Sequence, residues 1–157
     1  MKRILVYIII LAVLLMLPVK QQDVAKLHPV QVVALDKEKN WVVLETDTGD
    51  KGYGRTAQQA LQNLKDTSTG IVYLDTAEYL IISKNTEGET EELRRELKRA
   101  VRLCMADKPI DLAEAAEFLS THGGLPKLKE WEKGRELPVL STFGESIIFL
   151  KKVEKRA

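Results

Sequence analysis

Gly49-Asp50-Lys51-Gly52-Tyr53-Gly54-Arg55-Thr56-Ala57-Gln58-Gln59-Ala60-Leu61-Gln62-Asn63-Leu64 reads as the end of a strand, a glycine-rich turn and a capped helix. Thr56 is a good N-cap, and Gln59 three residues later completes a capping box. Ala57, Ala60, Leu61 and Leu64 recur at i, i+3, i+4 and i+7, which makes one apolar helix face. Gly54 and Thr56 are therefore the structural turn residues. Strand-like runs lie on both sides, so the helix has a sheet to cover.

The preceding strands are Val30 to Leu35, apolar on both faces, and Trp41 to Thr46. Asp36-Lys37-Glu38-Lys39-Asn40 joins them as the turn of a hairpin. Residues 48–55 read as loop, and the helix runs from Thr56 to about Asp66. Ile71 to Leu74 and Tyr79 to Ser83 are two further strands. Thr90, followed by Glu91 and Glu92, marks the start of a second helix, because acidic groups suit the positive end of its dipole. Beyond it the periodicity is ambiguous. Leu93, Leu97, Ala100, Val101 and Cys104 keep helical spacing, while Val101, Leu103 and Met105 alternate as in a strand. Asp111 caps a third helix with Glu114 in its box, and Gly123-Gly124 ends it. Pro126 to Lys133 reads as a short amphipathic helix, residues 138–144 as loop, and Ser146 to Leu150 as a last strand. This order predicts an α+β fold, a mixed sheet with helices packed on it.

The amino terminus adds a separate signal. After Met1-Lys2-Arg3, residues Ile4 to Leu17 are unbroken apolar, apart from the polar tip of Tyr7. The run is longer than many signal-peptide cores and short for a spanning helix, which takes roughly 17–25 residues. No small-residue cleavage box follows directly, and no cysteine follows either. The reading is an uncleaved signal anchor, a transmembrane helix bounded by Ile4 and Leu17, with a cleaved signal peptide as the alternative. Lys2 and Arg3 place the amino terminus on the cytoplasmic side of the cell membrane, a bias diluted by Lys20 and Lys26. The expected organisation is an anchor at 1–19, a linker at 20–29, one extracytoplasmic domain at 30–152 and a charged tail at 153–157.

Composition excludes several function classes. The chain of 157 residues is 45% hydrophobic, enough for one core. Its formal net charge of +1 argues against a dedicated nucleic-acid surface. A single cysteine, Cys104, rules out an intrachain disulfide and any multi-cysteine metal site.

Gly49-x4-Gly54-Arg55-Thr56 is one residue from a phosphate-binding P-loop, and Ile71-Val72-Tyr73-Leu74-Asp75 imitates the strand whose aspartate assists magnesium. Arg55 stands where that motif needs lysine, and a forked guanidinium does not replace a slim ammonium. The strand before the turn also belongs to a hairpin rather than a parallel sheet. Glu45, Asp47 and Asp50 crowd one loop without calcium-loop spacing, and read as a solvated acidic turn. His122 suits the carbonyls at a helix end, and His28 precedes a proline. Cys104 reads as a small buried hydrophobe. Trp41 and Trp131 read as core or interface anchors. No catalytic set, cofactor site or metal site stands out.

Four stretches taken in order resemble the N-terminal domain of the Ger(x)C-type spore germination proteins, the C subunits of germinant receptors. They are Val32-Val33-Ala34-Leu35-Asp36-Lys37, then Gly54-Arg55-Thr56 with Ala60-Leu61 and Leu64, then Tyr73-Leu74 with Leu80-Ile81-Ile82, and finally Gly144-Glu145-Ser146-Ile147-Ile148-Phe149-Leu150-Lys151. The likeness runs loosely from Val30 to Lys152. It lacks the lipobox cysteine and the later domains of that family. The resemblance implies a non-enzymatic protein on the outer face of the membrane, in contact with integral membrane proteins of the same assembly. It also favours a strand over Val101 to Ala106. The rivals are a degenerate nucleotide-binding protein using Gly49 to Thr56, and an unrelated extracytoplasmic binding domain with the same β-β-α-β-β order.

Overall fold

The computed structural model describes Tyr7 and residues 27–132, 134–144 and 146–151. The expected anchor falls almost wholly outside these residues; of it only Tyr7 is described, and neither Ile4 nor Leu17 is. Among the described residues no helix is long and apolar enough to cross a membrane.

The domain is α+β and built on a mixed sheet. Its strands are β1 (Leu27–Pro29), β2 (Val32–Glu38), β3 (Trp41–Thr46), β4 (Lys51–Gly54), β5 (Ile71–Tyr73), β6 (Tyr79–Ser83), β7 (Arg102–Ala106), β8 (Val139–Phe143) and β9 (Ser146–Lys151). Its α-helices are α1 (Ala57–Thr67), α2 (Glu87–Leu93) and α3 (Leu112–Thr121). Seven strands form the main sheet in the order β4-β3-β2-β6-β7-β8-β9, and β1 and β5 pair in a small parallel sheet beside it. β2, β6, β7 and β8 run parallel, and antiparallel hairpins flank them on both sides.

The parallel centre explains its own sequence. Val32-Val33-Ala34-Leu35, Tyr79-Leu80-Ile81-Ile82 and Leu103-Cys104 carry apolar side chains at consecutive positions, as strands covered on both faces require. On one face Val33, Leu35, Val42, Leu44, Leu80, Ile82 and Leu103 pack under α1 and α2, joined by Leu128, Trp131 and Leu137. On the other, Val32, Tyr79, Ile81, Cys104, Leu140 and Ile147 pack under Leu112, Ala115, Ala116 and Leu119 of α3. Two clusters on opposite sides of one sheet make three layers.

Several elements differ from the sequence reading. Residues 51–54 form edge strand β4 rather than loop, and residues 139–143 form β8 rather than loop. Leu27–Pro29, assigned to the linker, is strand β1. The hairpin strand β2 continues through Asp36, Lys37 and Glu38, so the turn shrinks to Lys39-Asn40, with Lys39 at a left-handed φ of 55°. α2 begins after Thr86, and Thr90 lies inside it, donating its hydroxyl to the Thr86 carbonyl. That helix ends at Leu93, so the alternating reading prevails for β7. The expected amphipathic helix over 126–133 is a single 3-10 turn at Leu128–Glu130.

Candidate functional site

The two halves of the sheet are covered unequally. α3 lies over the parallel strands and β9, and the same face of β3 and β4 carries no helix. Strand register puts Asp36 opposite Val43, Glu38 opposite Trp41, Val43 opposite Tyr53 and Glu45 opposite Lys51. These seven side chains therefore share the bare face, because cross-strand partners point to the same side of a sheet. Trp41 is 50% exposed and Tyr53 48%, and with Glu38 and Lys39 they line one shallow hollow. Lys51 is bound to Glu45 at 2.9 Å, and hydrogen bonding to that carboxylate raises its ammonium above the usual lysine range.

Where this platform meets the start of α3 a cleft of about 180 Å³ opens. Its floor is Ala34, Val43, Ile81 and Ala106, and its rim carries Asp107, Lys108 and Ile110. It sits at the carboxyl ends of β2, β6 and β7, the end at which open α/β sheets collect ligands. Ser83 lines it, and the Ser83 hydroxyl is solvent-inaccessible without a hydrogen-bond partner among the described residues. Asp107 accepts from the Ser141 hydroxyl at 3.0 Å. The arrangement offers an apolar floor, two half-exposed aromatic rings and a rim of both charges. That is the chemistry of a contact surface.

The adjacent edge is closed. β4 ends the sheet, and an open edge invites strand addition. Here α1 runs along it, so the Tyr53 amide donates to Asn63 Oδ1 at 2.9 Å and the Thr67 hydroxyl reaches the Lys51 carbonyl. The face of this hairpin is presented while its backbone edge is occupied.

The turn between β4 and α1 is short and satisfied. Thr56 Oγ1 accepts from the Gln59 amide at 3.2 Å. Gln59 Oε1 accepts in return from Arg55 N at 3.0 Å, one residue before the position of a standard capping box. Gly54 does not adopt a left-handed φ; Gly49 does, at 85°. Gly54 is required by proximity instead, since a Cβ there would lie 2.3 Å from the Ala60 nitrogen.

Other sequence candidates are not brought together. Gly49 and Gly54 bracket strand β4, so no loop cradles an anion between them. Asp75 lies in a 3-10 turn after β5, at the amino end of the sheet, whereas Thr56 is at the carboxyl end. Glu45 faces Lys51, Asp47 accepts from the Gln31 amide, and Asp50 is held by Ser68, Thr48 and His28. Among the described residues no group of three potential ligands could hold a metal. His122 stacks on Phe118 with ring centres 4.0 Å apart, and its Nδ1 lies 2.7 Å from the Phe118 carbonyl. Cys104 is buried, and burial pushes its thiol far above the usual range. Trp131 is a core residue, unlike Trp41.

Tyr53 lies in a stretch that reads as loop from sequence, because glycines flank it on both sides. The signal was present: Lys51-Gly52-Tyr53-Gly54 alternates, with glycine on one face and large side chains on the other. Compared with known protein families, with curated proteins and with solved structures, the chain matches none.

Proposed function

We propose that this chain is a non-catalytic binding module, held to a membrane by residues 4–17, that works by protein–protein contact through the bare β3-β4 face. The observation that carries the reading is the pairing of Trp41 and Tyr53, each about half exposed, beside an apolar-floored cleft. Exposed aromatic residues grouped on one surface favour partner binding, because they bury large area at low entropic cost. The ordered stretches that resemble germinant-receptor C subunits support an assembly of that type, with integral membrane proteins as partners and the domain on the extracytoplasmic side. The apolar run from Ile4 to Leu17 supports the tether.

The test is site-specific photocrosslinking in native membranes. A photoreactive residue at Trp41 or Tyr53 is expected to capture a multi-spanning membrane protein, and one at Glu117 on α3 is not. Equal capture at all three positions, or none at Trp41 and Tyr53, overturns the reading. Magnesium-dependent ATP or GTP binding abolished by Arg55→Ala would restore the nucleotide-binding alternative.

A further inference from the structure

The amino end of the sheet carries a charge that the composition hides. Residues 94–102, Arg-Arg-Glu-Leu-Lys-Arg-Ala-Val-Arg, hold five basic side chains and one acidic one, in a chain whose formal net charge is only +1. The run descends from α2 and enters β7, so all of it gathers at that end. The acid turns away: Glu96 faces Lys65 of α1 at 3.7 Å. Arg94, Arg95 and Arg99 of this run, with Leu97 and Lys129, line an open recess of about 610 Å³.

Arg94 is the fixed member. Its Nη2 donates to the carbonyls of Leu128 and Trp131 and its Nη1 pairs with Glu91 at 3.1 Å, while its Nε has no partner among the described residues. Arg95, Arg99 and Lys129 are exposed, and no described side chain pairs with them. Beside Arg94, the unpaired guanidinium groups of Arg95 and Arg99 and the ammonium of Lys129 match phosphate oxygens, which arginine can grip with two parallel bonds.

The position selects the source of the phosphate. Backbone bonds link the amino ends of the strands: Gln31 O accepts from Glu78 N, Glu78 O accepts from Arg102 N, and Arg102 bridges Lys127. With neighbouring strands about 4.8 Å apart, the start of β7 lies about 10 Å from the point where the chain enters β2. Residues 18–26 separate Leu17 from β1, a reach of at most about 30 Å. A chain tethered at Ile4 to Leu17 therefore keeps the start of β1 within about 30 Å of the lipid headgroups, at high effective concentration.

We infer that the Arg94-Arg95-Arg99-Lys129 recess engages the phosphate groups of anionic phospholipids and fixes the orientation of the domain on its membrane. The inference rests on the tether in the proposed function. It leaves the Trp41–Tyr53 face, at the other end of the strands, turned away from the bilayer.

The experiment uses the full chain in lipid nanodiscs of phosphatidylcholine alone or mixed with phosphatidylglycerol. The readout is amide hydrogen exchange over residues 94–102 and 127–130. Exchange is expected to slow in the anionic discs, with protection falling about fivefold per charge removed in Arg95→Gln, Arg99→Gln and Lys129→Gln. Lys39→Gln, Lys84→Gln and Lys108→Gln, at the carboxyl end, remove as much charge and are expected to leave protection unchanged. Equal exchange in both disc types overturns the inference. So does protection reproduced by inorganic phosphate in neutral discs, which would mark a soluble-anion site. Protection that appears only on adding an acidic membrane protein overturns it likewise. Retention in the discs at high salt reads the tether independently, so the tether and the recess can fail separately.

Discussion

Replacing Gly52 or Gly54 by alanine should destabilise the domain through one shared event, a retreat of α1 from β4. Both glycines point to the face covered by α1, opposite Leu44 and Val42 respectively. A Cβ on Gly52 would sit 2.2 Å from the Ala60 carbonyl oxygen and 2.6 Å from both Leu64 Cβ and Leu64 N. A Cβ on Gly54 would sit 2.3 Å from Ala60 N. The nearest of these are backbone atoms, so no side-chain rotation relieves them. Ordinary contact begins at 3.4 Å, so the helix must withdraw by about 1.2 Å, the difference from 2.2 Å. That loosens Ala57, Ala60, Leu61 and Leu64, all buried against the sheet. Overpacking of this kind costs about 1–3 kcal/mol. Alanine also restricts the unfolded chain, which offsets about 0.4–1 kcal/mol. Because the atoms at 2.2 and 2.3 Å are backbone, the cost lies in the upper half of that range, and each single variant should lose roughly 1–2.5 kcal/mol. The double variant should lose less than the sum, because one helix displacement relieves both clashes. The assay is urea unfolding followed by the fluorescence shift of buried Trp131. Two single variants as stable as the parent would refute the close-approach argument. Strict additivity in the double variant would refute the shared displacement.

Two further predictions follow from the same region. Thr56→Ala should cost about 1 kcal/mol through the lost cap, and Arg55→Ala should be near neutral, since its side chain is exposed; thermal unfolding of the pair checks the contrast. Burial alone would raise the Asp50 carboxyl, but hydrogen bonds from Ser68, Thr48 and His28, with the charge of His28, outweigh it and leave the group below its ordinary 3.8. Its stabilising contribution is therefore present above that pH and lost as pH falls through the lower folded value. Asp50→Asn should flatten the acid limb of a stability–pH curve below about 4, and an unchanged limb would contradict the assignment.

The sequence revealed elements where one local rule dominated. Thr56 and Asp111 each precede an apolar period and each caps a helix, Asp111 accepting from Ala113 and Glu114. The parallel strands declared themselves by consecutive apolar residues. It failed where tertiary contact decided. Leu93 to Val101 continues the helical period, yet α2 stops at Leu93, because Leu97 and Val101 join the core from the irregular segment that follows. β4 was hidden because its two glycines resemble a loop; each is instead the space that α1 occupies. β8 pairs with β9 across a bulge at Val139 and Leu140, and Ser141 and Thr142 within it look like turn residues until the partner strand is known. The platform was half legible: Trp41 was recognisable as an anchor, but its neighbour Tyr53 required the register of β4.

Net charge conceals a local feature for a related reason. It is a sum, whereas a partner meets one end of the molecule. Removing the net +4 of residues 94–102 from a chain of net +1 leaves −3 elsewhere, part of it in Asp36, Glu38 and Glu45 around the aromatic platform. The fold turns this linear imbalance into a local one, because α2 delivers its basic exit to the start of β7. Near a negative surface a basic patch confined to one side produces a torque even when the total force is small. The charged side chains concerned are largely exposed, so the cost of removing them from the fold should be small, and the effect of removing them on orientation large. That separation distinguishes an orienting patch from a stabilising one, and the same Arg95, Arg99 and Lys129 substitutions measure both.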